Sequence, residues 1–278
     1  MFLLDFFKKK DFKKVLSLDG GGVRALAAVI FLKQLEKETG RSVFDTFDFF
    51  MGVSAGGLNA LHFTINKTSA EKLEDFWTND NLAMSMQKSF WGQAIFLNSK
   101  PKYNNESRTA LLRDYFENKL IAHSDKPVSV LAYDVEKRKP RLISSYDDSN
   151  ISVISAINAT SAAPLYYPTV KIEDGSWLID GGVVANNPSL IGYNEARNYF
   201  KTSNIKVFSI GTGINSKGLD GKSSAEWGPI GWLRNDILGI LSETQYDHET
   251  LSDLLKDDYL RINSSMKEIN FSMDDYSH

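Results

Sequence analysis

The chain predicts an α/β fold: a single-domain, three-layer α/β/α arrangement around a mainly parallel central sheet. Three observations carry the prediction. Apolar runs of strand length alternate with stretches of helical spacing. Glycine clusters follow directly on three of those runs. The length of 278 residues, with 42% hydrophobic and 24% charged content, suits one large domain with a sizeable buried core.

The first strand falls at about residues 14–18 of KKVLSLDGGG and stops at the glycines. A helix follows from Arg24 to Glu38, with Leu26, Ile30, Leu32 and Leu35 spaced to bury one face and Gly40 placed to end it. FDFFMGV is the second strand, Ser54 to Gly57 its turn, and Leu58 to about Ile65 the next helix. VSVLAYDV, PRLISSY, WLIDGGVV and KVFSIGTG read as further strands, with a helix near ISVISAINA. No internal repeat, low-complexity tract or linker divides the sequence. The expected organisation is an N-terminal arm, residues 1–13, and one domain, residues 14–278.

Composition narrows the function classes. A net charge of -3 supplies no global positive field, so nucleic acid is not an expected partner. The chain has no cysteine, which excludes disulfides, thiolate catalysis and cysteine-ligated zinc, and suits a reducing compartment. With only His62, His123, His248 and His278 as imidazoles, a histidine-rich metal site is not expected. No run approaches the roughly 20 apolar residues needed to cross a bilayer. In MFLLDFFKKKDFKK the lysines follow the apolar run and Asp5 interrupts it, the reverse of a secretory signal. The expected location is cytoplasmic, with a peripheral membrane contact as a candidate and delivery elsewhere as an effector left open. Phe2, Leu3, Leu4, Phe6 and Phe7 beside lysines read either as an interfacial anchor or as an arm packed against the domain. The aromatic stretches at about 78–105 and at EWGPIGWLRNDILGIL admit two readings as well, core or lipid-facing rim.

Three glycine-framed motifs carry the chemistry. In Gly52-Val-Ser54-Ala-Gly56, small residues on both sides let a strand and a helix approach a sharp turn that presents the hydroxyl at the sheet edge, where the helix N-terminus favours developing negative charge. Asp19-Gly20-Gly21-Gly22-Val23-Arg24 frees consecutive N–H groups for a phosphate or an oxyanion. With Ala25 it also fits a dinucleotide fingerprint, Asp45 or Asp48 standing at ribose distance, but a nicotinamide enzyme has no use for a glycine-framed serine on the next strand. Asp180-Gly181-Gly182 places an acid at a strand end, which in a parallel sheet is the edge that also bears Ser54.

The ordered set LDGGGVR, GVSAG and IDGG, with ATSAAP before the last, resembles the patatin-like phospholipases, a family of lipid acyl hydrolases, over about Val15 to Gly213. The resemblance implies a patatin-like fold, with Ser54 as nucleophile, Asp180 as its proton acceptor and the amides of Gly20, Gly21 and Gly22 as oxyanion hole. Arg24 matches the motif's basic residue, whereas Ala25 stands where the family usually has glycine. The implied reaction is cleavage of fatty-acyl esters of membrane phospholipid through an acyl-enzyme, with no metal or cofactor and with the requirement for an activator left open. A carboxylesterase or neutral lipase on the same scaffold is the alternative, and a catalytically silent lipid-binding module the reading from another class. Aspartate is a weak base at its ordinary pKa of about 3.9, so the site must rely on positioning and exclusion of water. Ser54, Asp180 and His248 also follow the chain order of a hydrolase triad, but His248 lies in a polar stretch of helical spacing.

Overall fold

Alternation along the strands builds two cores, one on each face of a single sheet. In the computed structural model, which describes residues 6, 11–88, 100–214, 218–228, 231–232, 235, 237–242, 246–266 and 273–276, the strands are β1 (Lys13–Leu18), β2 (Phe49–Val53), β3 (Val128–Asp134), β4 (Lys139–Ser144), β5 (Val170–Lys171), β6 (Trp177–Asp180), β7 (Ile205–Ile210) and β8 (Tyr259–Ile262). Leu16, Leu18, Phe50, Phe208 and Ile210 face one side, where they meet α1 (Leu26–Thr39), α2 (Ala55–Ile65), α3 (Glu106–Phe116) and α4 (Val153–Thr160). Val15, Phe49, Met51, Val53 and Val207 face the other, covered by α5 (Ser189–Phe200) and α6 (Tyr246–Leu255). Strands buried on both faces read as near-continuous apolar runs, which is why β1, β2 and β7 were legible.

Strands β8, β7, β1, β2 and β3 are parallel neighbours, in that order. The flank beyond β3 is antiparallel: β4 and β6 both pair with β3, and β5 pairs with β6. The expectation that Asp180 ends a parallel strand is therefore corrected. β4 takes one edge of β3 along Ser129–Asp134. The other edge is shared, β2 lying against Val128–Leu131 and β6 against Ala132–Asp134. β6 thus runs toward β2 from beyond its end, and the two strands stop facing each other at Val53 and Asp180.

Local signals explain the helices. Gly40 adopts φ 65 and its N–H donates to the Glu36 carbonyl, ending α1 as expected. Helix α2 starts at Ala55, earlier than the expected Leu58, and every one of its residues is buried. Its first turn presses on β1: a Cβ at Gly56 would stand 2.3 Å from the Leu18 carbonyl, and one at Gly52 would stand 2.5 Å from the Gly56 carbonyl. Only glycine fits at either place. Phe6 is buried against Phe208, with ring centroids 6.1 Å apart, so this arm residue belongs to the core and is no lipid anchor. Phe2, Leu3, Leu4 and Phe7 lie outside the described residues, as do 89–99 of the first aromatic stretch and parts of the second. Among the described residues, no helix is long and apolar enough to cross a membrane.

Candidate active site

Ser54 is the single residue between β2 and α2, and it holds φ 55 and ψ −129. A side chain in that region costs about 1–3 kcal/mol, so the surroundings must hold it. Its N–H donates to Thr160 Oγ1 at 3.0 Å, and the Thr160 hydroxyl in turn donates to the Leu131 carbonyl on β3. The strained turn is thereby tied to the strand that also positions β6.

Because β2 and β6 end face to face, Ser54 Oγ reaches Asp180 Oδ2 at 2.7 Å. The other carboxylate oxygen accepts the Gly182 N–H at 2.7 Å, and the Asp180 N–H donates to the Ala162 carbonyl at 3.0 Å. Gly181 is pressed on β3, where a Cβ would stand 2.3 Å from the Leu131 carbonyl. Asp180 is 5% exposed, and burial pushes its carboxyl up to about 6 against the opposing pulls of Gly182, Ser54 and Arg108. At neutral pH the group is ionised yet far better at taking a proton than a solvated aspartate.

The glycine loop lies beside this pair. Gly20 differs from the expectation for a donor: its N–H is committed to the Asn186 carbonyl at 3.1 Å. No internal acceptor for the Gly21 or Gly22 N–H is found among the described residues, and both glycines line the cavity beside Ser54. Arg24 Nε donates to the Gly21 carbonyl at 3.2 Å, and Asp19 is gripped by Arg261 of β8. Ala25 is accommodated without strain, at φ -65, with its methyl buried in the first core.

A cavity of about 300 Å³ opens at the Ser54–Asp180 pair, walled by apolar groups that include Leu58, Phe76, Trp77, Leu82 and Met86. Of the described part of the first aromatic stretch, Leu82, Met86 and Tyr103 are cavity wall, whereas Met84 is 39% exposed. Arg108 also borders the cavity, 4% exposed. Its guanidinium donates to Asn105, Asn158 and Ser161 and lies 3.9 Å from the Tyr167 ring centroid. Met273 and Asp274 complete the rim: the Val23 N–H donates to the Met273 carbonyl at 3.0 Å, and the Asp274 carboxylate accepts from the Tyr103 hydroxyl at 2.6 Å.

No described histidine lines the cavity. His248 packs on the opposite core, its Nδ1 3.2 Å from the Tyr259 hydroxyl. His62 is sealed among Phe76, Tyr115 and Phe116, where burial pushes its imidazole down to about 3. The dinucleotide reading fails on position: Asp45 and Asp48 precede β2, the Asp45 carboxylate accepting from the Ser42 hydroxyl and the Asp48 carboxylate from the Lys14 N–H at the start of β1, the far end of the sheet from the glycine loop.

A family model described as Patatin-like phospholipase matches residues 16–191, more than half of the chain. The chain belongs to the patatin-like phospholipase family. Patatin-like protein 4 of Arabidopsis thaliana is 30% identical over 317 aligned positions, covering 94% of this chain and 78% of its own length. A protein named cGAMP-activated phospholipase, from Vibrio cholerae, is 28% identical over 275, covering 87% and 77%. Among solved structures, VipD from Legionella pneumophila aligns with a TM-score of 0.48 and 14% identity over 95% of this chain and 63% of that one, too remote a likeness to bear on the site. This patatin-like chain is a lipid hydrolase by family. Residues that sequence reasoning did not single out are Arg108, Thr160, Asn186, Thr212 and Arg261. Thr160 sits inside ATSAAP, where a motif drew attention to the neighbourhood; the others act across long separations and carry no local mark.

Proposed function

We propose that this patatin-like protein cleaves fatty-acyl esters of phospholipids with Ser54 and Asp180 as its catalytic dyad. The 2.7 Å contact between the strained serine hydroxyl and a buried carboxylate at the mouth of an apolar cavity carries the reading. Ser54 Oγ attacks the ester carbonyl while its proton passes to Asp180 Oδ2. The developing oxyanion is received by the Gly21 and Gly22 N–H groups, and the helix N-terminus behind Ser54 adds its dipole. Collapse expels the alcohol, which takes the proton back from Asp180. Water then repeats the sequence on the acyl-enzyme and releases a free fatty acid.

A lipid surface is the proposed setting. Val183 borders the cavity and is 51% exposed, and Leu165, between the wall residues Pro164 and Tyr166, is 46% exposed. Exposed apolar side chains at or next to a cavity lining suit contact with a lipid surface.

The test is incubation of the full chain with vesicles of mixed phospholipid, with product identification by mass spectrometry and Ser54→Ala as control. The names of two relatives, from Vibrio cholerae and Pseudomonas aeruginosa, include activation by cGAMP, so each reaction is run with and without that nucleotide. Fatty acid with matching lysophospholipid is the expected product. Turnover of triacylglycerol or short esters alone would assign a neutral lipase or carboxylesterase. No product under any condition, together with no labelling of Ser54 by a fluorophosphonate, would overturn the enzyme reading in favour of a silent binding module.

A further inference from the structure

An N–H group in a trans peptide points opposite to the carbonyl of the same unit. The aim of the Gly21 N–H is therefore set by whatever holds the Gly20 carbonyl, and the aim of the Gly22 N–H by whatever holds the Gly21 carbonyl. A run of glycines has little intrinsic preference between the two orientations of such a peptide. Arg24, inside the motif, holds the Gly21 carbonyl. The Gly20 carbonyl is held from afar: the Thr212 hydroxyl donates to it at 2.6 Å and Asn186 Nδ2 at 3.3 Å, from 192 and 166 residues along the chain. Thr212 is 5% exposed and sits so close under the loop that a Cβ on Gly21 would stand 2.2 Å from its hydroxyl oxygen. It also follows β7, past the end of the family match at residue 191.

We infer that Thr212, seconded by Asn186, is a positioning residue that pins the Gly20 carbonyl and so turns the Gly21 N–H toward the oxyanion. It touches neither substrate nor nucleophile. The inference rests on the Ser54 reading above. An unpinned peptide still permits substrate to enter the cavity, since the apolar wall of Leu58, Phe76, Trp77, Leu82 and Met86 does not depend on it. It loses aim only when negative charge develops, so the cost falls on kcat and leaves KM in place.

Hydrolysis of a p-nitrophenyl ester by the full chain distinguishes the roles, using Thr212→Val, which keeps the shape and removes the hydroxyl, and Thr212→Ser, which keeps the hydroxyl. Thr212→Val is expected to lose about 10- to 100-fold in kcat, less than deletion of an oxyanion donor, with KM within about two-fold. Affinity for a trifluoromethyl ketone, which forms a tetrahedral anion on the serine, should fall by the same factor as kcat/KM. Thr212→Ser should return kcat to within about three-fold of wild type. A hydroxyl that only satisfied a buried carbonyl would change the melting temperature without this split. Thr212→Val with unchanged kcat, or Thr212→Ser as impaired as Thr212→Val, overturns the inference. If Thr212→Val does not fold, Asn186→Ala takes its place: a several-fold loss of kcat at constant KM supports the pin, and unchanged kcat overturns it. Ser54→Ala separates the two levels. If that variant stays active, the nucleophile assignment itself falls; if it is inactive while Thr212→Val is unimpaired, only the pin falls.

Discussion

Asp19, just past the end of β1, and Asp180, at the end of β6, are each 5% exposed, and in each case burial pushes the carboxyl up to about 6. Their partners differ. Asp19 faces the Arg261 guanidinium, with Nη1 at 3.2 Å and Nη2 at 2.5 Å, and Ser209 holds the same guanidinium at 2.6 Å. Asp180 faces the Ser54 hydroxyl and the Gly182 N–H. A guanidinium does not surrender its proton in a protein, whereas a hydroxyl that is bonding to a carbonyl carbon must. Equal burial thus accompanies an ion-paired fastener at Asp19 and, in the proposed mechanism, a base at Asp180. A raised carboxyl pKa points to neither role until the donor opposite it is named.

Asparagine at each position separates the two roles, and the largest effect is on rate. Asp180→Asn and Ser54→Ala should each lose at least about 10³-fold in kcat while remaining folded, measured by ester hydrolysis and by melting curves. Retention of substantial activity by Asp180→Asn would make it a fastener like Asp19.

Asp19→Asn should act first on stability. It strands the Arg261 charge, 9% exposed, without a counter-ion, at a cost of about 3–5 kcal/mol in denaturant titration that relief of the raised Asp19 carboxyl offsets in part at neutral pH. A variant as stable as wild type would show that Arg261 does not fasten the loop.

Asp180→Asn should do the reverse. The folded carboxyl titrates near 6 against an ordinary 3.8, so its contribution to stability is complete below pH 3.8 and is lost as pH rises through about 6. That shift corresponds to about 3 kcal/mol. The variant should match wild type near pH 4 and exceed it by up to about that amount at pH 7. No gain at neutral pH would mean that Asp180 is not held at an energetic cost.

A smaller effect is expected in the pH profile. Wild-type kcat/KM should fall as pH drops through about 6, when Asp180 takes a proton. Arg108 pulls that carboxyl down, so Arg108→Gln should move the acid limb upward; a limb that stays in place would confine Arg108 to packing against Tyr167 and Asn158. The smallest effect belongs to His248→Ala, which removes one contact to Tyr259. It should cost about 1 kcal/mol or less and leave kcat within about two-fold. A variant as inactive as Ser54→Ala would replace the dyad with a triad.

Much of this was legible in the sequence where the physics is local. β1, β2 and β7 are apolar runs with a glycine within two residues of their ends, and Ser54, Asp180, Gly21, Gly22 and Arg24 lie in motifs a few residues long. The direction of β6 was not legible, because WLID contains nothing that says which edge of β3 it takes or from which end it arrives. Asp180 reached the predicted edge by an antiparallel route. β8 escaped notice because YLRI follows the charged Lys256-Asp257-Asp258 and places Arg261 among apolar residues. Arg108, Asn186 and Thr212 depend on partners brought close only by the tertiary fold.

The end-to-end meeting of β2 and β6 on one edge of β3 makes activity a gauge of threading. Slipping a strand by one place exchanges the side chains on its two faces. A molecule in which β6 paired one residue out of step would offer Ile179 or Gly181 to Ser54 while keeping the parallel strands and most of both cores intact. Circular dichroism and size would pass it as native. Under the proposed mechanism, fluorophosphonate titration of Ser54, divided by total protein, would count it as defective, so that ratio reports how faithfully a refolded or overexpressed batch has chosen its strand alignment.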